Sequence, residues 1–196
     1  MVQNSPGRPL MFDPDVALSR AVLLFWERGF DGASLPELEA ATGLGRSSIY
    51  NTFGGKPELF RAALDRYAGD MDAAFLEPLR TGAAGIDDVL AFLDRLDAHT
   101  DDGLPAGCLI CNTLVELGEV DAVAGGRVGD YLRRLELALR AALGRAVDLG
   151  EIRGGTEDDR AALLTTLVVG ASSVARGDDP RRLVAAARRQ VEEWRR

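Results

Sequence analysis

Between Leu44 and Gly55 the chain places Arg46, Ser47, Ser48, Tyr50, Asn51 and Thr52 with no carboxylate among them, although Asp and Glu outnumber Lys and Arg by 31 to 23. Guanidinium, hydroxyl and carboxamide groups at that density suit phosphates and base edges. A second set of reactive residues lies further on: the lone histidine, His99, and two cysteines, Cys108 and Cys111. Thiols at i and i+3 of a helix share one face. There they can take an oxidant, an electrophile or a soft metal, or pack as two small hydrophobes. One histidine and two cysteines fall short of a metal centre or a hydrolytic triad. Gly43-x-Gly45-x-x-Ser48 lacks the third glycine and the preceding strand of a dinucleotide fingerprint. Asp87-Asp88, Asp101-Asp102 and Asp158-Asp159 are neighbours that cannot face each other on a helix. No catalytic residue, metal ligand set or cofactor is expected, and the chain reads as a non-enzyme.

The elements that must position these groups are helical almost throughout, with period-two alternation nearly absent. Asp13-Pro14 opens a first helix that turns Val16, Ala21, Val22, Phe25 and Trp26 inward and ends at Gly29. Ser34-Leu-Pro-Glu37 has capping-box spacing and starts a short helix ending at Thr42-Gly43. After the Gly43-Leu-Gly45 turn comes another, about Arg46 to Phe53. From Lys56 a long helix runs to about Leu79 with Phe60, Leu64, Tyr67, Met71 and Phe75 on one side. Five further helices follow, the first carrying Ile86, Val89, Leu90, Leu93 and Leu96. Cys108 to Leu117 is apolar nearly all round and so expected to be central. Another spans about Asp121 to Leu149. One begins after Thr156 and carries Leu163, Leu164, Leu167, Val168 and Ala171. The last begins at Asp179-Pro180 and carries Leu183, Ala187, Val191 and Trp194. The expected fold is all-α, about nine helices, with a three-helix head over residues 1–55 and a helical body over 56–196.

Charge divides along the same line. The net −8 separates into −1 over residues 1–66 and −7 over 67–196, so the acidity resides mainly in the body. No apolar run approaches the roughly 20 residues of a membrane span, and no apolar leader precedes the first helix. A cytoplasmic location without membrane contact is expected.

Within the head, two short helices joined by a tight glycine turn make a helix-turn-helix candidate. Ile49 and Phe53, with Leu38, Ala41 and Leu44, supply its inner face. The polar set from Arg46 to Thr52 falls largely outside. Lys56, at the start of a helix whose free amides already favour anions, adds a full charge for phosphate. Arg8, in Gly7-Arg8-Pro9, reads either as a basic arm for an adjacent minor groove or as a tail residue. Tyr50 reads as a DNA contact, because Ile49 and Phe53 already fill the inner stripe.

Residues Gly29 to Phe60, above all Gly43-Leu-Gly-Arg-Ser-Ser-Ile-Tyr-Asn-Thr-Phe-Gly-Gly-Lys56, resemble the TetR family of transcriptional repressors. The resemblance is close over residues 10–65 and topological beyond. It implies a ligand-responsive repressor that binds a near-palindromic double-stranded operator as a homodimer. Arg46, Ser47, Ser48, Tyr50, Asn51 and Thr52 then lie on the recognition helix, Lys56 meets phosphate, and Ser34 caps the second helix and touches the backbone. Gly45 stands where a capping serine is usual and Thr52 where an aromatic is commoner, so base preference does not carry over.

For the body the resemblance implies an effector site. Gly107-Cys108-Leu-Ile-Cys111-Asn112 resembles a sub-group some of whose members sense electrophiles, metals or small organic acids. Candidate effector contacts are Phe75, Phe92, Leu96, His99, Cys108, Cys111, Asn112 and Tyr131, each of which reads equally as core. The expectation is a ligand- or redox-responsive regulator, dimeric through its last two helices and released by a small molecule or electrophile. The rival is an all-α small-molecule-binding protein or enzyme without a DNA role.

Overall fold

The computed structural model describes residues 13–99, 104–117, 122–177 and 179–195. Among them every regular element is a helix: α1 (Pro14–Gly32), α2 (Leu35–Thr42), α3 (Arg46–Phe53), α4 (Lys56–Met71), a π-helical turn (Asp72–Leu76), α5 (Glu77–Thr81), α6 (Ile86–His99), α7 (Leu109–Leu117), α8 (Ala122–Asp148), α9 (Glu157–Val174) and α10 (Arg181–Glu193). We refer to the first three as the head and to the remainder as the body. The all-α expectation holds.

The local chemistry explains the helix ends of the head. The Asp15 amide donates to the Asp13 carboxylate at 2.9 Å, and Pro14 occupies a first-turn position whose missing N–H costs nothing. At α2 the Ser34 amide donates to Glu37 Oε2 at 2.9 Å while the Glu37 amide points back at Ser34 Oγ, 3.4 Å away. Gly43 then ends α2 in the left-handed region, φ 72°, which a side chain would resist.

Two details of α1 differ from the sequence expectation. Val16 is 47 % exposed, because the buried stripe runs through Ala17, Ala21 and Phe25 and the preceding position falls 100° away from it. The helix also does not stop at Gly29. It breaks there, at φ 72° and ψ 177°, and helical turns resume to Gly32.

The long helix after Lys56 reaches Thr81 rather than Leu79, and it is not uniform. Pro78 has no N–H to donate to the Ala74 carbonyl and its ring would crowd that oxygen. The turn before it widens to i→i+5 bonding, so α4, the π turn and α5 run on as one rod. Asp72 in that turn receives Arg80 at 2.5 Å and Arg134 at 3.1 Å, tying the rod to α8.

One hydrophobic cluster extends from Ala17 to Val191. Phe60 of α4 packs edge-on to Phe25, 4.9 Å between centroids, and lies 5.0 Å from Phe30, so α4 carries the head's core into the body. α8 packs along α9, and α10 closes on α6 and α9. α7 is enclosed only over its first half: Leu109, Ile110, Cys111, Asn112 and Thr113 are buried, but Val115 is 75 % exposed. The apolar stripe of α10 is covered within the chain through Val184, Ala187 and Val191, with Leu183 and Trp194 half-buried and Arg160 lying 5.0 Å over the Trp194 ring. α9 buries Leu164, Val168 and Ala171 and leaves Leu163 and Val174 exposed on another row. Thr156 makes no side-chain cap at α9; Glu157 instead accepts from the Gly155 amide at 2.7 Å.

Candidate nucleic-acid interface and cavity

α3 is two turns of helix held by one deeply buried residue, Ile49, with Leu38 and Leu44 beneath it. Phe53 is half-buried. Around that anchor Arg46, Ser47, Tyr50 and Asn51 are exposed, while Ser48 and Thr52 are half-buried. The Tyr50 ring leans over Gly55, where a Cβ would stand 3.2 Å from Cε1, and still leaves half of Tyr50 open. Gly54 (φ 98°) and Gly55 (φ 129°) turn the chain sharply into α4, which a side chain at either position would strain. Lys56 then begins α4 with its Nζ 4.6 Å above the Phe30 ring. Ser34 is exposed at the start of α2. Arg8 lies outside the described residues.

Among the described residues, Arg46 and Lys56 make no ion pair. Arginines of the body do: Arg127 holds Asp65, Arg145 holds Asp88, Arg188 holds Asp94, and Arg176 holds Glu116. Arg46 therefore keeps its donors for a ligand.

A partly open cavity of about 160 Å³ lies between α1, α4, the π turn, α6, α7, α8, α9 and α10, with Leu104 to Cys108 along one side. Of the residues expected at an effector site, Phe75, Phe92, Leu96, His99, Cys108, Cys111 and Tyr131 line it. Asn112 does not. It is buried beside Gly107, where a Cβ would stand 3.2 Å from its Oδ1. Trp26, Tyr67 and Met71 also line the cavity, and the sequence reading took all three for core. The only signal available was a polar atom on an inward stripe, the Trp26 indole N–H and the Tyr67 hydroxyl. The Trp26 ring stacks on His99, 6.2 Å away, and meets Tyr67 edge-on at 4.9 Å.

The two thiols are free and unequal. The thiol of Cys111 donates to Cys108 and holds the Cys108 pKa down to about 7, against burial. Helix amides of Cys111 and Ile110 and the Tyr67 hydroxyl add to that effect, so the free amides at a helix start contribute, though not first. The same hydrogen bond to Cys108, then burial, pushes the Cys111 thiol far up. Burial raises the Tyr67 and Tyr131 hydroxyls as well. At neutral pH Cys108 is the nucleophile of the pair. No three His, Cys, Asp or Glu side chains among the described residues cluster as a metal site, and no described helix is long and apolar enough to cross a membrane.

One contact group links the end of α9 and α7 to α1. Arg176, just beyond α9, donates to Glu116 of α7 at 2.9 Å and to the Glu27 carbonyl of α1 at 3.3 Å. The Glu116 carboxylate sits in the space a side chain at Gly29 would need.

Comparison with known proteins agrees with this layout. The family model for bacterial regulatory proteins of the TetR family matches residues 17–63, and that for the tetracyclin repressor-like C-terminal domain matches residues 85–195. The chain is 37 % identical over 118 residues to the HTH-type transcriptional repressor ComR of Escherichia coli, a match that covers 59 % of this chain and 56 % of ComR. It is 32 % identical over 155 residues to the HTH-type transcriptional regulator YezE of Bacillus subtilis, covering 78 % of this chain and 79 % of YezE. Among solved structures, a cysteine mutant of the regulator CifR in complex with a 26-bp operator duplex superposes with a TM-score of 0.81. It is 27 % identical and covers 96 % of this chain and all of that one.

Proposed function

The chain belongs to the TetR family of bacterial regulatory proteins, and on that premise we propose that it is a DNA-binding transcriptional repressor, gripping a near-palindromic operator as a homodimer and released by a small effector. The observation that carries this reading is α3: a helix anchored by Ile49, with Phe53 half-buried, that presents Arg46, Ser47, Tyr50 and Asn51 to solvent, with no acid on it and, among the described residues, no ion pair to Arg46. Ser48, Thr52, Lys56 and Ser34 join the DNA-facing set, and Arg8 remains assigned to it from the sequence. The operator complex of CifR supports the DNA-binding reading. The head takes residues 1–55 and the body 56–196, with α4 as the rod between them, and the protein works in the cytoplasm.

A dimer supplies two heads for successive major grooves, about 34 Å apart. The last two helices form its interface, and α9 contributes most, because Leu163, Leu167, Gly170 and Val174 fall on one row that the chain itself leaves partly open. The effector occupies the cavity. Trp26 belongs to α1 and Tyr67 and Met71 to α4, so filling the space pushes on the two helices that hold the head. A second route to release has its own support: Cys108 lines the cavity with a pKa of about 7, so an electrophile or oxidant that reaches it would place a bulky or polar adduct there. The relatives are regulators, which favours a non-enzymatic role.

The test is a gel mobility shift on the DNA upstream of the protein's own gene at several salt concentrations. Wild type retards the duplex, and the Tyr50→Ala, Lys56→Ala double variant, still helical by circular dichroism, binds about a hundredfold more weakly. Equal binding by the two proteins would remove α3 from the interface. No specific binding by either would favour a small-molecule-binding protein without a DNA role.

A further inference from the structure

The cavity has a chemical character that a core gap of the same size need not have. More than a quarter of the chain is charged, yet the described lining contains no Asp, Glu, Lys or Arg. Bringing a carboxylate or ammonium into such a space would strip its water with no Asp, Glu, Lys or Arg of the described lining to meet it. Cys108, when ionised, would repel an anion and attract a cation, so charged and neutral ligands are compared below pH 7, where it is mostly a thiol. An engineered cavity of about 150 Å³ holds one benzene ring, and this one measures about 160 Å³. Its walls are set for a ring. Phe75 stands nearly perpendicular to Phe92, at 85°, and to His99, at 76°, so it offers edges and faces at right angles.

One polar group in this wall lacks a partner. Trp26 is 4 % exposed, and among the described residues its indole N–H has no hydrogen-bond acceptor. An orphaned buried donor is costly, and a ligand's acceptor that displaces the side chains covering it recovers that cost. Phe75, Phe92 and Tyr131 supply area, and Trp26 supplies direction.

We infer that the cavity takes an uncharged, single-ring aromatic carbonyl compound, its ring among Phe75, Phe92 and Tyr131 and its carbonyl oxygen accepting from the Trp26 indole N–H. This rests on the effector reading above and specifies the ligand. It also gives the ligand a direct hold on the head, because Trp26 lies on α1 three residues before the break at Gly29.

The test is isothermal titration calorimetry of the full chain with four probes of similar size: acetophenone, ethylbenzene, benzoate and benzylammonium. Acetophenone is expected to bind at least tenfold more tightly than either ion. Trp26→Phe is expected to weaken acetophenone about fivefold, the worth of one hydrogen bond, while leaving ethylbenzene unchanged, which also reports that the variant's cavity is intact. Benzoate or benzylammonium binding as well as acetophenone would overturn the inference. So would an unaltered acetophenone affinity in Trp26→Phe, or no binding by any probe. Mobility shifts with saturating probe separate this from the effector reading. Acetophenone bound without operator release keeps the ligand class and removes its role as effector. Release by a charged probe alone keeps an effector and overturns the class.

Discussion

Head and body are built from the same helices and use them in opposite ways. In the head, α3 packs through Ile49 and partly through Phe53 and turns Arg46, Ser47, Tyr50 and Asn51 outward, with no ion pair to Arg46 among the described residues. In the body nearly every helix buries an apolar stripe, many arginines are tied to acids, and the reactive groups Cys108 and Tyr67 face a cavity that Trp26 of α1 also lines. The first arrangement suits a large, wet, charged partner that docks from outside. The second suits a small, neutral one that must shed its water. The difference is where each region leaves polar groups unsatisfied: at the surface in the head, in the interior in the body.

The sharpest way to break this contrast is at the one body surface argued to be hidden. Leu163→Glu with Val174→Glu puts two carboxylates on the α9 row, and like charges in a two-fold interface cost several kcal/mol. The dimer dissociation constant is expected to rise about a thousandfold, read by sedimentation equilibrium, with the helical signal retained. A dimer of undiminished stability would place the interface on another face.

Next in size is the division of labour within the head. Arg46→Ala and Asn51→Ala should each cost about 1–3 kcal/mol and blur base preference, whereas Lys56→Ala should weaken all sequences alike and lower the salt slope by about one. Fluorescence anisotropy on the operator and on scrambled duplexes reads both. A sequence-selective loss in Lys56→Ala would mean that the lysine reaches bases rather than phosphate.

Gly29 tests the seam between the regions. At φ 72° and ψ 177° the backbone sits where only glycine is comfortable, and a methyl there would also overlap the Glu116 carboxylate. Gly29→Ala is expected to destabilise the fold by about 2 kcal/mol in urea denaturation. A loss below about 0.5 kcal/mol would mean that the break relaxes at little cost.

The smallest effect concerns the thiols. With its pKa lowered to about 7, Cys108 is mostly thiolate above that pH and mostly thiol below it. Its alkylation by iodoacetamide, followed by mass spectrometry, should level off above pH 7 and fall toward tenfold per unit well below it. Cys111→Ala removes the leading cause of the shift and should move that profile upward. An unmoved profile would assign the shift to the helix amides instead.

The parts legible in the sequence are those whose causes lie within a few residues. Asp13-Pro14, Ser34 with Glu37, and the glycines at 43, 54 and 55 fix the ends of the head's helices through hydrogen bonds and dihedral limits that span at most four positions. The acid-free run of α3 is legible for the same reason: it is one short helix, and its outer face is read off by counting. Even there, the π turn before Pro78 was hidden inside a regular apolar spacing that an α-helix would also satisfy.

By itself, then, the sequence determined the helical class, the order of the helices and the polar surface of α3, because capping, periodicity and local charge are properties of contiguous residues. Only the tertiary structure decided what the body encloses. Trp26, Tyr67 and Tyr131 come from α1, α4 and α8 and Cys108 from the residue before α7, and each alone is indistinguishable from ordinary core. Tertiary packing also assigned the stripe of α10 to the chain's own interior and left α9 with an open row. Whether an apolar face meets its own chain, a second copy or a ligand depends on which helices pack beside it, and that is set by the closing of distant segments rather than by any local pattern.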